Sequence, residues 1–285
     1  MDMHKLTDCY TLNNGIKIPC VGFGTWQAEE GDIAKASVKT ALAAGYRHID
    51  TAAAYGNEES VGLGIRESGI PREELFITTK LWNPVRGYDE TMEAFHISRR
   101  KLGLEYLDLY LIHWPNPVYF RDHWQKANAD SWRAMEKLVN DGYIRAIGVS
   151  NFLPHHLEAL GQTANVPPAV NQIRLCPGDV PAANVEYCRS HSILLEAYSP
   201  FGTGRIFNIP EMAVLAAKYG KSVAQICIRF SLQMGFLPLP KSVTPERIVD
   251  NTKIFDFELT KEDMDQILSL DGIVGHAKDP DTTNF

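Results

Sequence analysis

The feature that most constrains this chain is a repeated alternation, from Val21 almost to the C-terminus, of short apolar runs with amphipathic segments. Periodicity predicts strands at residues 21–23, 47–49, 75–79, 107–112, 144–149, 169–172, 193–198 and 236–239. Helices are expected at 33–44, 58–67, 88–102, around 129–140, at 154–160, near 184–189, at 212–233 with a break near Gly220, and at 245–251. Strands that alternate with helices pair in parallel, and eight units favour closure into a (β/α)8 TIM barrel of the α/β class over an open doubly wound sheet. A Rossmann start would also need Gly-x-Gly-x-x-Gly, which neither Gly22-Phe23-Gly24-Thr25-Trp26-Gln27 nor Gly62-x-Gly64 provides.

Two additions flank the eight units. Asn14-Gly15 between Tyr10-Thr11-Leu12 and Ile16-Lys17-Ile18 predicts an N-terminal β-hairpin with a type I′ turn, acting as a small lid. Thr260 before Glu262-Asp263 predicts an extra C-terminal helix to about Leu270, followed by an irregular tail. No repeat, low-complexity segment or linker divides the chain, so residues 1–285 read as a single barrel domain.

A net charge of −7 over 285 residues, with a sequence pI near 5.7, argues against a broad basic surface for nucleic acid. Five scattered cysteines without a Cys-x-x-Cys pair suit a reduced, cytoplasmic setting. The N-terminus shows no apolar leader, and no stretch is long enough to cross a bilayer, so a soluble protein without membrane partners is expected. A monomer or weak dimer is the default reading.

A barrel gathers the C-terminal ends of its strands around one mouth, and three successive strands end in reactive groups. Asp50 follows His48-Ile49, with Tyr55 five residues on; Lys80 follows residues 75–79; His113 follows 107–112. Together these groups suit carbonyl reduction. Hydride delivery to a carbonyl leaves an alkoxide that needs an acid, a phenol can serve once an ammonium lowers its pKa, and a carboxylate can hold that ammonium in place. Each residue taken singly is more often a structural cap or a core side chain; the joint placement is what carries the functional reading.

Asp50-Thr51-Ala52-x-x-Tyr55-x-Asn57-Glu58, Thr79-Lys80-Leu81-Trp82-Asn83 and Leu111-Ile112-His113-Trp114-Pro115 together resemble the aldo-keto reductase superfamily, over nearly the whole chain. The resemblance implies an NADPH-dependent oxidoreductase acting on a small-molecule carbonyl, with Asp50, Tyr55, Lys80 and His113 as catalytic tetrad. Ser150, Asn151 and Gln172 would then bind the nicotinamide carboxamide and Tyr198 would stack on its ring. Lys241, Ser242, Thr244 and Arg247 would hold the 2′-phosphate, with Asn251 near the adenine. Gly24, Thr25, Trp26, Asp50, Ser199, Pro200, Gly202 and Val243 complete the expected NADP contacts, and Trp26, Trp82 and Trp114 the substrate wall; Tyr119, Phe120 and Trp124 are candidates beside it.

The chain departs from the family pattern after strand six, where Arg174 and Cys176 replace the usual Glu and His; Arg174 is expected to affect subunit contacts or docking of the tail. The tail resembles the short endings of bacterial members related to diketogluconate reductases. Two other readings stay open: a Schiff-base lyase using Lys80, and a barrel that holds NADPH as a redox sensor or binding module. No metal is expected, because His155-His156 and His191 lack carboxylate companions at ligand spacing.

Overall fold

The computed structural model describes residues 3–285. After an antiparallel hairpin, β1 (Cys9–Thr11) and β2 (Lys17–Pro19), eight parallel strands follow in sequence order: β3 (Phe23–Gly24), β4 (His48–Asp50), β5 (Phe76–Leu81), β6 (Leu107–Ile112), β7 (Ile144–Ser150), β8 (Val170–Arg174), β9 (Leu194–Tyr198) and β10 (Leu237–Leu239). The first and last are joined by Gly22 N–H to the Pro238 carbonyl and Gly24 N–H to the Pro240 carbonyl, both 3.0 Å, which closes the expected (β/α)8 TIM barrel. Helices α1 (Asp32–Ala43), α2 (Glu58–Glu67), α3 (Tyr88–Leu102), α4 (Trp124–Asn140), α5 (Pro154–Gly161) and α6 (Ala182–Ser190) each follow one strand.

The predicted break at Gly220 is present. Gly220 has φ +62°, ending α7 (Pro210–Tyr219), and Ser222 with Gln225 forms a reciprocal capping box that starts α8 (Val223–Gln233). After α9 (Pro245–Asp250) comes the extra helix α10 (Lys261–Leu268), whose Thr260 hydroxyl accepts the Asp263 N–H at 3.2 Å.

Strand side chains alternate faces. Tyr110 and Ile112 point outward to the layer beneath the helices, packed with Phe95 and Trp132, whereas Leu109 and Leu111 join Phe76, Ala146, Val170, Leu237 and Leu239 in the lumen. Stepping on by two from these lumen residues reaches Lys80 beyond Phe76 and Thr78, Gln172 beyond Val170, and His113 beyond Leu111. The lumen is therefore apolar at one end and polar at the other.

The hairpin plugs the apolar end. Leu12 and Ile18 enter that cluster, while Tyr10, Asn13 and Asn14 donate side-chain hydrogen bonds to the carbonyls of Phe236, Pro168 and Arg145, next to the strand starts. It covers the face opposite the catalytic candidates. Its turn also differs from expectation: Gly15 alone has positive φ (+85°), and its N–H bonds the Leu12 carbonyl at 2.9 Å. A type I turn closed by a left-handed glycine satisfies the twist without forcing Asn14 to positive φ.

Candidate active site

The polar end of the lumen is built around Lys80, which lies inside β5 because that strand runs two residues beyond the expected end. Its fully buried ammonium donates to both Asp50 carboxylate oxygens at 2.8 Å, to the Thr51 carbonyl at 2.8 Å and to the Tyr55 hydroxyl at 3.2 Å. Burial works against that charge, but Asp50 and Tyr55 outweigh it and the lysine pKa is raised. A Schiff base needs a free amine, and every proton of this ammonium is already committed.

Tyr55 sits on a short 3-10 turn, Ala53–Tyr55, that folds its ring back over β5. The expected lowering of its phenol is only part of the balance. Burial raises the pKa, Lys80 opposes it, and the sum lies above the ordinary value. Tyr55 is accordingly a protonated group held against a cation, an acid rather than a standing phenolate.

His113 completes the cluster, its ring 5.8 Å from that of Tyr55 and 5.2 Å from that of Trp82. Burial, then Lys80 and Arg86, hold the imidazole well below its usual pKa, so it is neutral. Its Nδ1 is sealed without a partner, which favours the tautomer with the proton on Nε2.

Neighbouring strands and loops fix these groups. Thr25 donates to the Asp50 carbonyl from both its N–H (3.0 Å) and its hydroxyl (2.9 Å). Buried Asn57 accepts from the Thr51 hydroxyl at 3.0 Å and donates to the Thr25 and Ala28 carbonyls, each 2.9 Å. Buried Glu58 accepts from Thr79 and Ser98, tying α2 and α3 to β5. Asn57 and Glu58 stood in the sequence motif with no role assigned; both are braces.

Ser150, Asn151, Gln172 and Tyr198 meet on the next strands and are largely committed to one another. Ser150 donates to the Gln172 carbonyl (2.7 Å), Asn151 to the His113 carbonyl (3.0 Å) and the Ser150 hydroxyl (3.1 Å), and the Tyr198 hydroxyl to Asn151 Oδ1 (2.8 Å). Gln172 gives one amide hydrogen to Asp50 Oδ2 at 2.8 Å and the other to Glu196 Oε2 at 2.7 Å. Its oxygen is left to accept. Asn151 (φ +61°) and Ser199 (φ +48°), at the ends of β7 and β9, hold a left-handed backbone that non-glycine residues adopt at a cost, as functional turns often do.

The rim is more open. Lys241 donates to the Gln27 carbonyl at 3.0 Å and its burial lowers its pKa; Ser242 accepts the Thr244 N–H at 3.1 Å; Arg247 and Val243 are exposed, Pro200, Gly202 and Asn251 buried. Among the described residues no acid pairs with Lys241 or Arg247. Gly24 lies against this rim, since a Cβ there would stand 3.3 Å from the Leu239 carbonyl. Lys241 in the loop before α9 and Arg247 within that helix, with Gln172 Oε1 at the floor, are donors and acceptors that fit a phosphorylated nicotinamide cofactor.

The tryptophans divide. Trp82 and Trp114 are brought together by Phe285, the last residue, whose ring lies 6.4 Å from Trp82 and 4.7 Å from Trp114. Trp26 stands 45% exposed on the loop after β3. Tyr119 is 76% exposed, and Trp124 packs on His156 at 4.8 Å instead of on the cluster. Arg86 was missed entirely: its buried guanidinium donates to the carbonyls of Trp82 (3.2 Å), Val85 (2.6 Å) and Trp114 (2.5 Å), fixing both pocket walls, and burial lowers its pKa to about 9.

The tail accounts for Arg174 and overturns the reading of the two histidines. Arg174 pairs with Asp179 and donates to the carbonyls of Gly275 (2.6 Å) and Val274 (3.2 Å), so it docks the tail. His155 and His156 do have a carboxylate companion, Asp281, at 3.1 and 2.9 Å. The Leu153 N–H donates to His156 Nδ1, leaving the proton on Nε2 to donate to Asp281, which makes this a clasp for the tail. Cys176 is buried with its thiol pushed up to about 11 by burial, as a packing residue should be.

The aldo/keto reductase family model matches residues 20–271, so the chain belongs to that family and is an oxidoreductase by membership. It is 47% identical to glyoxal reductase of Bacillus subtilis (strain 168) over 281 residues, 99% of each chain. It is 46% identical to the 9,11-endoperoxide prostaglandin H2 reductase of Trypanosoma cruzi (strain CL Brener), over 96% of this chain and 95% of that one. An aldo-keto reductase from a Medee basin deep-sea metagenome library superposes with TM-score 0.91 at 43% identity, covering 97% of this chain and 100% of the other. A Bombyx mori aldo-keto reductase in complex with NADP gives TM-score 0.85 at 38% identity, with 93% of each chain covered. No helix among the described residues is long and apolar enough to cross a membrane.

Proposed function

We propose that this NADP-dependent oxidoreductase reduces small aldehydes, α-dicarbonyls first among them, to alcohols with Tyr55 as the proton donor. The observation that carries this reading is the Lys80 ammonium, shared between Asp50 at 2.8 Å and the Tyr55 hydroxyl at 3.2 Å. NADPH, when bound, supplies the hydride that a carbonyl carbon accepts. The chain's own residues supply the rest. His113, neutral and with its proton on Nε2, donates to the carbonyl oxygen and orients it; Tyr55 gives that oxygen its proton; Lys80 stabilises the phenolate left behind; and Asp50 keeps Lys80 charged.

Lys241, Ser242, Val243, Thr244 and Arg247 receive the 2′-phosphate, with Asn251 near the adenine. Tyr198, Ser150, Asn151 and Gln172 seat the nicotinamide, Gln172 through its free carbonyl oxygen. Gly24, Thr25, Ser199, Pro200 and Gly202 line the bridge between them. Trp82, Trp114 and the Phe285 ring make a narrow aromatic mouth, with Trp26 at its edge, which favours small substrates. The similarity to a protein named glyoxal reductase supports the same class.

The test is NADPH oxidation measured with glyoxal, methylglyoxal, a bulky aromatic ketone and a keto sugar. The expected order of kcat/KM places the two dicarbonyls first. Cofactor binding without oxidation by any carbonyl would favour a binding module instead.

A further inference from the structure

One carboxyl group in the lumen takes no part in the steps above. Glu196, at the centre of β9, is fully buried, and its Oε1 has no hydrogen-bond partner. On one side β10 offers it only Leu237 in register; on the other β8 offers Gln172. The facing groups from β4 and β5 are His48, Asp50 and Lys80. His48 Nε2 lies 3.9 Å away, bonds the Thr78 hydroxyl at 3.0 Å, and is kept neutral by burial and Lys80, with a pKa of about 3. Glu196 thus has no cation of its own.

It does have a second acid. The Gln172 amide donates one hydrogen to Glu196 and the other to Asp50, so the two carboxyl groups are separated by a single nitrogen. Two carboxylates that close in a water-free interior do not both ionise. Of these two acids Lys80 bonds only Asp50, through both oxygens. Glu196 is therefore the member of the pair without a compensating cation.

We propose that Glu196 is a positioning residue of the reductase site, the neutral member of a carboxyl pair with Asp50, bridged by Gln172, that sets the protonation of Tyr55 through Asp50 and Lys80. The proposal rests on the reductase reading. Burial, then Asp50, push the Glu196 carboxyl up to about 8, against Gln172 and Lys80. Below that pH it orients Gln172 without adding charge. Above it the new negative charge acts on the phenol in the raising direction, keeping Tyr55 protonated and the reductive acid available as the solution turns alkaline.

Glu196→Gln keeps the shape and the acceptor for Gln172 but cannot ionise. The kcat/KM for NADPH-dependent reduction of methylglyoxal is followed from pH 6 to 10, each enzyme normalised to its own value at pH 6. The alkaline limb of the variant should fall on the order of half a pH unit earlier than that of the wild type. Profiles that superimpose overturn the positioning role while leaving the reductase reading intact. A wild-type enzyme that reduces nothing overturns both. A second measurement needs no variant: the infrared carbonyl band of a protonated carboxyl should be present in the wild type at pH 6.5 and lost with a midpoint near 8. Its absence at pH 6.5 overturns the proposal even if Glu196→Gln does not fold.

Discussion

The floor and the rim of the barrel mouth are built on opposite plans. At the floor Asp50, Tyr55, Lys80 and Gln172 are held to one another by hydrogen bonds of 2.8–3.2 Å. At the rim, Lys241 meets a backbone carbonyl and Arg247 faces solvent, and no described acid neutralises either. A floor fixed by its own partners is organised before any ligand arrives, which is what electrostatic catalysis requires. A rim of unpaired cations gives its energy to an anion that binds. Damage to the floor should therefore cost stability and chemistry together, and damage to the rim should cost cofactor affinity alone.

The sharpest break of that contrast is Lys80→Met. It leaves Asp50 buried without a cation and Tyr55 without the charge that stabilises its phenolate. The expected result is a loss of stability of about 3–5 kcal/mol, read by denaturant titration, together with a fall in kcat of ~10²–10⁴-fold or more. A variant that remains stable and within tenfold of wild-type kcat would show that the floor is not a coupled unit.

At the rim, Arg247→Ala should leave unfolding unchanged and weaken NADPH binding by roughly tenfold to a hundredfold, with NADH little affected, since one charge-assisted bond is worth ~1.5–3 kcal/mol. Fluorescence titration with both cofactors decides; equal weakening of the two would remove the 2′-phosphate from this site.

Between floor and rim lies the aromatic wall. Arg86 grips Trp114 by its carbonyl, so Trp114→Ala should keep the backbone in place and lose only the ring contact with Phe285 and substrate. A rise in KM of roughly fivefold to a hundredfold for bulky carbonyls, with kcat nearly unchanged, is expected from apolar contacts of ~1–3 kcal/mol. A uniform fall in kcat for small and bulky substrates would instead place Trp114 in the chemistry.

How much of this was legible in the sequence follows from the range of each interaction. The barrel was readable because its strands are apolar runs at regular intervals, and α2 and α3 fall at the predicted residues because their periodicity is local. The meeting of Asp50, Tyr55, Lys80 and His113 could be anticipated because topology alone carries strand ends to one mouth. The hairpin turn was misassigned because Asn-Gly also suits a type I turn followed by a left-handed glycine, a choice settled by where Asn13 and Asn14 anchor on the barrel.

Glu196 left a trace, a lone acid in an apolar strand, but its partner Asp50 lies on the far side of the barrel in sequence. Arg86 left none, since its ligands are backbone carbonyls. Asp281 meets His156 across 125 positions, and Phe285 reaches Trp82 from the end of the chain, pairings that no spacing rule detects.

The central claim is that Tyr55 supplies the proton and that Lys80, Asp50 and His113 exist to prepare it. Tyr55→Phe removes the hydroxyl and keeps the ring that packs against His113. Pre-steady-state measurement of NADPH binding and of carbonyl reduction on this variant should give cofactor affinity close to wild type with reduction slowed by ~10²–10⁴-fold or more. Reduction at near wild-type rate by Tyr55→Phe would contradict the assignment of the proton donor.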